Sequence, residues 1–227
     1  MSARSDQLNE RQRALDVLIA AYWKPVYKHI RLKWRKEIED ARDLTQEFFA
    51  RVLERDFFAT FDPERARLRT FLRICVDRFV ANENQAAQRL KRGGGFQLVA
   101  LDFPSAEGEL QLVELPQSES AEDFFAREWI RGLFELAVEQ LRRECELSGK
   151  TIHFQLLEKY DIEEGGKDLS YEDVARLYGL KPSDVTNYLA YARREFRRIV
   201  LEQLRLSTAS EEEFRNEARA LLGVQIR

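Results

Sequence analysis

The sequence predicts an all-α protein of two helical domains joined by an acidic linker. Helix breakers are sparse, with 10 glycines and 5 prolines in 227 residues. Apolar residues recur at three- and four-residue spacing along most of the chain. A central stretch with glycine and proline but no helical period interrupts that pattern. The length suits two small domains, each able to bury its own core. The expected division is a first domain over 1–95, a linker over 96–119, a second domain over 120–206 and a helical extension over 207–227.

The first helix should begin after Ser5, with Leu15, Leu18, Ile19 and Tyr22 on one face, and kink or restart at Pro25. Val26 to Trp34 is again helical in period. Asp40 to Glu54 forms an amphipathic helix whose buried stripe is Leu44, Phe48, Phe49 and Val52. Carboxylates near its start suit the helix dipole. After a turn at Phe57 to Pro63, a long helix should run from Glu64 to Arg92 and stop at Gly93-Gly94-Gly95. The linker follows, with a short extended piece near Phe96 to Phe103. From Asp102 to Glu128 there are eight acids against one base, Arg127. Ser120 caps the next helix, which carries Phe124, Trp129, Leu133 and Leu141. A shorter helix covers Ile152 to Tyr160. The last runs from Ser210 to Leu222, ended by Gly223.

Composition excludes several classes. A net charge of −3, from 37 basic and 40 acidic residues, is unlike a purely electrostatic nucleic-acid binder. Cys75, Cys145, His29 and His153 lack metal-ligand spacing, and no cofactor is expected. Cys75 sits in an apolar run and reads as a buried, reduced thiol. The polar start from Ser2 to Arg13 is no signal peptide, and no apolar run approaches the roughly 20 residues of a membrane span. A cytoplasmic protein without a membrane partner is expected. No nucleophile–base pair or phosphate-binding glycine loop suggests an enzyme.

The best local motif is a helix-turn-helix from Leu169 to Arg193. Ser170 and Asp173 stand at capping-box positions, Gly179 fits a left-handed turn, and Pro182 suits the first turn of the second helix. Val174, Ala175 and Leu177 should face inward, with Val185 and Leu189 anchoring the second helix. Lys181, Ser183, Asp184, Thr186, Asn187, Tyr188 and Tyr191 are left on or near the outer face, where a recognition helix meets the major groove. Arg193 and Arg194 would meet flanking phosphates. Asp184 and Tyr188 sit less well there, the first repelling phosphate and the second standing where a cation is expected. A solvated helical hairpin is the plainer alternative.

The stretch from Glu64 to Arg92 holds eight cations and three acids, a local net of +5. Arg65, Arg67, Arg69, Arg73, Arg78, Arg89, Lys91 and Arg92, together with Asn82 and Asn84, offer the charge and amide groups that single-stranded DNA takes. Phe71 and Phe79 read as mostly buried.

Asp40-Ala-Arg-Asp-Leu-Thr-Gln-Glu-Phe-Phe, Phe61-Asp-Pro-Glu-Arg and Leu68-Arg-Thr-Phe-Leu resemble region two of the extracytoplasmic-function (ECF) bacterial sigma factors. Leu169-Ser-Tyr-Glu-Asp-Val-Ala through Ala192-Arg-Arg resembles their region four. The resemblance covers roughly 18–92 and 124–204, and Tyr22-Trp-Lys-Pro-Val-Tyr with Lys91-Arg-Gly-Gly-Gly is similar to a subgroup with a C-terminal extension. It implies RNA polymerase core and promoter DNA as partners, with an anti-sigma factor allowed as a third. Asp40, Asp43, Leu44, Gln46 and Glu47 would dock on the polymerase clamp. The Arg65 to Arg92 helix would open and hold the −10 element, and Lys181 to Tyr191 would read the −35 element. The acidic linker would thread the polymerase's nucleic-acid channels or serve as a solvated tether. Arg78 and Asn82 depart from the Asn and Asp often seen in the melting helix, Arg42 replaces a common acid, and Tyr188 replaces a common base. The alternatives are a stand-alone helix-turn-helix regulator acting without polymerase, and an adaptor whose helices bind only protein. The extension reads either as a stabilising helix or as a cover for one domain.

Overall fold

The computed structural model describes residues 2–54, 57–87, 101–112 and 119–223. Among the described residues every regular element is helical, and no strand occurs. The elements are α1 (Ser2–Lys33), α2 (Ile38–Val52), α3 (Leu68–Ala87), α4 (Phe103–Gln111), α5 (Ala121–Leu147), α6 (Thr151–Leu157), α7 (Tyr171–Tyr178), α8 (Pro182–Leu206) and α9 (Glu211–Leu222). The chain forms two compact units, residues 1–132 with 205–217 and residues 133–204 with 218–227. The division falls inside α5, α8 and α9 rather than in the acidic stretch.

In the first unit, α1 runs through Pro25 without the expected restart. Proline at 25 removes the amide that would bond the Ala21 carbonyl. That carbonyl faces Gly132 of α5, where a Cβ would sit 3.4 Å away. The missing side chain admits α5 closely, and tertiary packing holds the helix together where local preference would break it. Tyr22 stacks on Trp129 at 5.9 Å, and Tyr22, Val26, Tyr27 and Ile30 are buried. Phe48, Phe49 and Val52 of α2 and Leu72, Val76 and Phe79 of α3 are buried, with the Phe48 and Phe79 rings 5.8 Å apart. Ala41 and Thr45 complete the buried stripe of α2, while Leu44 is only half-buried.

Two expectations for this unit are corrected. The long basic helix starts at Leu68, not Glu64. Asp62 instead closes a turn, accepting from the Glu64 amide through its side chain and from the Arg65 and Ala66 amides through its carbonyl. Within the stretch expected as a linker without helical period, helix α4 runs from Phe103 onward, and residues 96–100 of the expected extended piece lie outside the described residues. Asp102 caps α4 by accepting from the Ser105 amide, Pro104 occupies its first turn, and Phe103 and Ala106 are buried. Glu107 of α4 bonds Arg31 and Tyr27, and Glu109 bonds Lys24 and Lys28. Lys28 is fully buried between Glu109 and Glu128.

The second unit is built around the helix-turn-helix. Val174, Ala175, Val185, Leu189 and Ala192 are buried, and Phe134 stacks on Phe196 at 5.8 Å. Leu177, expected to face inward, is 63% exposed. On the short α7 the inward arc is already filled by Val174 and Ala175, and residue 177 turns past it. After α6 a single π turn over Glu158–Ile162 leads to a short 3-10 turn over Gly166–Asp168. Gly166 packs so tightly that a Cβ there would lie 2.3 Å from the Lys159 carbonyl oxygen. Both cysteines are free, and burial pushes their thiols up, Cys75 being half-buried rather than buried.

Candidate nucleic-acid and partner interfaces

Three groups of candidate residues occur, two in the first unit and one in the second. On α2, Asp40, Asp43 and Glu47 are exposed, spaced by three and four residues on one face. Leu44 and Gln46 beside them are half-buried. Glu47 pairs with Arg51 at 2.8 Å, and Arg51 also reaches Glu83 at 2.7 Å. Arg42, where an acid is common in the resembling family, turns back to Glu39 at 3.1 Å and lies over the Phe103 ring. Asp40 and Asp43 therefore face solvent, while the charge of Glu47 is shared with Arg51.

The cations of α3 and the turn before it divide. Arg65 is 85% exposed, and Arg78 and Asn82 are exposed. Arg73 is held by Asp77 and Glu122, both at 3.3 Å. Asn84 accepts from Lys36. Arg67 and Arg69 both meet Glu217 of α9, at 2.9 Å and 2.7 Å. The same helix α9 sends Glu213 to accept from the Leu68 amide at 2.8 Å. Arg89, Lys91, Arg92 and the Gly93–Gly95 stop lie outside the described residues.

Asp77 anchors the back of this region. Burial alone would raise its carboxyl, yet hydrogen bonds from His29, Lys33 and Trp34 hold it well below the usual carboxylate range. The result is a fixed negative centre joining α1 to α3.

In the second unit the motif closes as its sequence predicts. The Ser170 side chain accepts from the Asp173 amide, and Asp173 answers by accepting from the Ser170 amide. Gly179 adopts φ 65°, and the Leu180 amide reaches the Ala175 carbonyl. Lys181, just before α8, and Ser183, Thr186 and Asn187 on it are exposed. Asp184 is half-buried and accepts from the Lys181 amide at 3.3 Å, so the acid that would repel phosphate serves the turn. Arg193 forms a fork with Asp161 at 2.8 and 3.0 Å and is held by Tyr171, a structural pairing rather than an open cation. Arg194 pairs with Glu195 and lies over Tyr191.

Tyr188 and Tyr191 are half-buried because α6 and its N-cap supply neighbours that the motif does not contain. His153 stacks on Tyr188 at 4.1 Å and meets Tyr191 edge-on at 5.1 Å. Lys150 places its ammonium 4.0 Å over the Tyr191 ring. Burial and the Lys150 charge both push the His153 imidazole down, which favours its neutral form. No local sequence signal ties residues 150 and 153 to this face. Only the packing of α6 brings them there.

Among the described residues no group of histidine, cysteine, aspartate and glutamate could hold a metal ion, and no helix is long and apolar enough to cross a membrane. Comparison with protein-family models, curated proteins and solved structures finds no match to this chain.

Proposed function

We propose that the chain is an initiation factor of the ECF sigma type, which brings RNA polymerase core to promoters and has no catalysis or cofactor of its own. The observation that carries the DNA half of this reading is the capped helix-turn-helix. Its second helix leaves Lys181, Ser183, Thr186 and Asn187 clear of the core. Short polar groups at the start of a recognition helix are what a major groove accepts. In this reading Lys181 to Tyr191 meet the −35 element as duplex. The exposed residues of the α3 region, Arg65, Arg78 and Asn82, track the parted strand of the −10 element.

The polymerase half rests on the resemblance of Asp40 to Phe49 and on the exposed acidic stripe that α2 presents. An acidic face suits a basic partner surface and speeds its encounter. Promoter opening then draws on binding energy alone, the strand being captured as it parts.

The test is association with purified core polymerase, followed by transcription from a library of random promoters. Asp43→Arg should weaken core binding about tenfold, or about 1.4 kcal/mol, with an unchanged helical spectrum. Core affinity indifferent to that reversal would remove Asp43 from the interface. Tight duplex binding as a symmetric dimer, with no affinity for core, would favour the stand-alone regulator instead.

A further inference from the structure

We infer that the start of α3 is an anion-binding surface which α9 occupies with two carboxylates, making α9 an intramolecular competitor of the nucleic-acid strand. The identity of the strand rests on the function proposed above. The occupation does not.

Glu217 is 3% exposed and lies between the guanidinium groups of Arg67 and Arg69. Glu213 is 8% exposed and accepts from the amides of Leu68 and Ala209. A carboxylate this deeply buried is retained only where cations and donors satisfy it. Here the satisfying groups are two arginines and the first free amide of a 20-residue helix. Two guanidinium groups, each giving one N–H to the same Glu217 oxygen, and a helix-start amide taken by Glu213 are donors of the kind that also take a phosphate.

The surface is not sealed. The Arg67 side chain is 53% exposed although its partner is buried. A cleft of about 470 Å³ opens beside it, lined by Arg65, Arg67, Glu212, Glu213 and Asn216 among others. A strand drawn to the exposed Arg65 and Arg67 competes there with Glu217, which already holds Arg67. Phosphate and carboxylate cannot share the two arginines without strong repulsion. Strand binding and α9 docking therefore weaken one another by the same factor.

The experiment uses the full chain and a labelled, mixed-sequence single-stranded DNA of about 12 nucleotides. Glu217→Gln keeps an acceptor and the side-chain volume but removes the charge. It should tighten DNA binding about five- to tenfold. Adding Arg67→Ala and Arg69→Ala should cancel that gain. On the unaltered chain, saturating DNA should speed amide hydrogen exchange across 211–222, a readout that needs no variant to fold. Unchanged or weaker affinity for Glu217→Gln, with exchange in 211–222 unmoved by DNA, would overturn the competition. A chain that binds core polymerase and DNA but shows neither response loses this inference alone. A chain that binds neither loses the proposed function as well.

Discussion

At the scale of single residues, Asp77 has the most to lose from substitution. It accepts from His29, Trp34 and Lys33 and pairs with Arg73. Asp77→Asn should cost about 3 kcal/mol near neutral pH, because it leaves partly buried cations facing a neutral amide. The sign of its pH dependence follows from the depressed carboxyl. The ionised form is favoured in the folded state, so its contribution is fully present above the unfolded value of about 3.9. It fades only as pH falls from there toward the lower folded value. Thermal melts of both proteins should differ at pH 7, differ nearly as much at pH 5, and converge in strong acid. On the recognition face, Asn187→Ala or Lys181→Ala should shift −35 preference by about 1–3 kcal/mol. That Lys181 and Asn187 face away from the core was legible in the sequence, because capping and turn residues fix which way a short helix faces. The placement of Lys150 and His153 was not, since a ring stack across two helices leaves no periodic trace.

At the scale of elements, legibility follows how local the cause is. Ser120, Ser170 and Ser210 each accept from the amide three residues on, as their positions predict. α4 was hidden because its acids read as a channel-threading segment or a solvated tether, whereas Glu107 and Glu109 bond cations of α1 some 80 residues earlier. The intact α1 was hidden because Pro25 is a local breaker, and only the approach of Gly132 to Ala21 shows how it is tolerated. Gly179 and Gly166 separate backbone conformation from space. Gly179→Ala meets open space but keeps φ 65°, and should cost about 1 kcal/mol. Gly166→Ala places a methyl against the Lys159 and Tyr160 carbonyls, which belong to backbone and cannot swing aside. It should cost more, about 2–3 kcal/mol, and speed amide exchange through the π turn at Glu158–Ile162. Equal stability of the two variants would mean that this turn relaxes freely.

At the scale of the whole molecule, the first unit is closed by residues from the far end of the chain. Ser207, Phe214 and Glu217 belong to it, and Ser207 accepts from the Tyr22 hydroxyl at 3.3 Å. Arg205 lies over the Phe214 ring at 4.1 Å, and that ring is 3% exposed. The extension, which reads in sequence as a stabilising helix or a cover for one domain, thus gives its first part, 207–217, to the core of the first unit. Nothing local announces it, because its partners lie 145 or more residues earlier. The distribution of tryptophan makes the point measurable. Trp23, Trp34 and Trp129 all fall within residues 1–132, so their fluorescence reports the first unit and not the second. Phe214→Ala should remove about 3–4 kcal/mol of packing from that unit. The tryptophan-detected transition should then move to lower denaturant, while amide exchange in α7 and in 182–200 stays as before. If both respond equally, the two units unfold as one cooperative body. The charge of Glu217 and the packing of Phe214 would then be read through a single equilibrium, and DNA-induced release of α9 would have to loosen the helix-turn-helix as well.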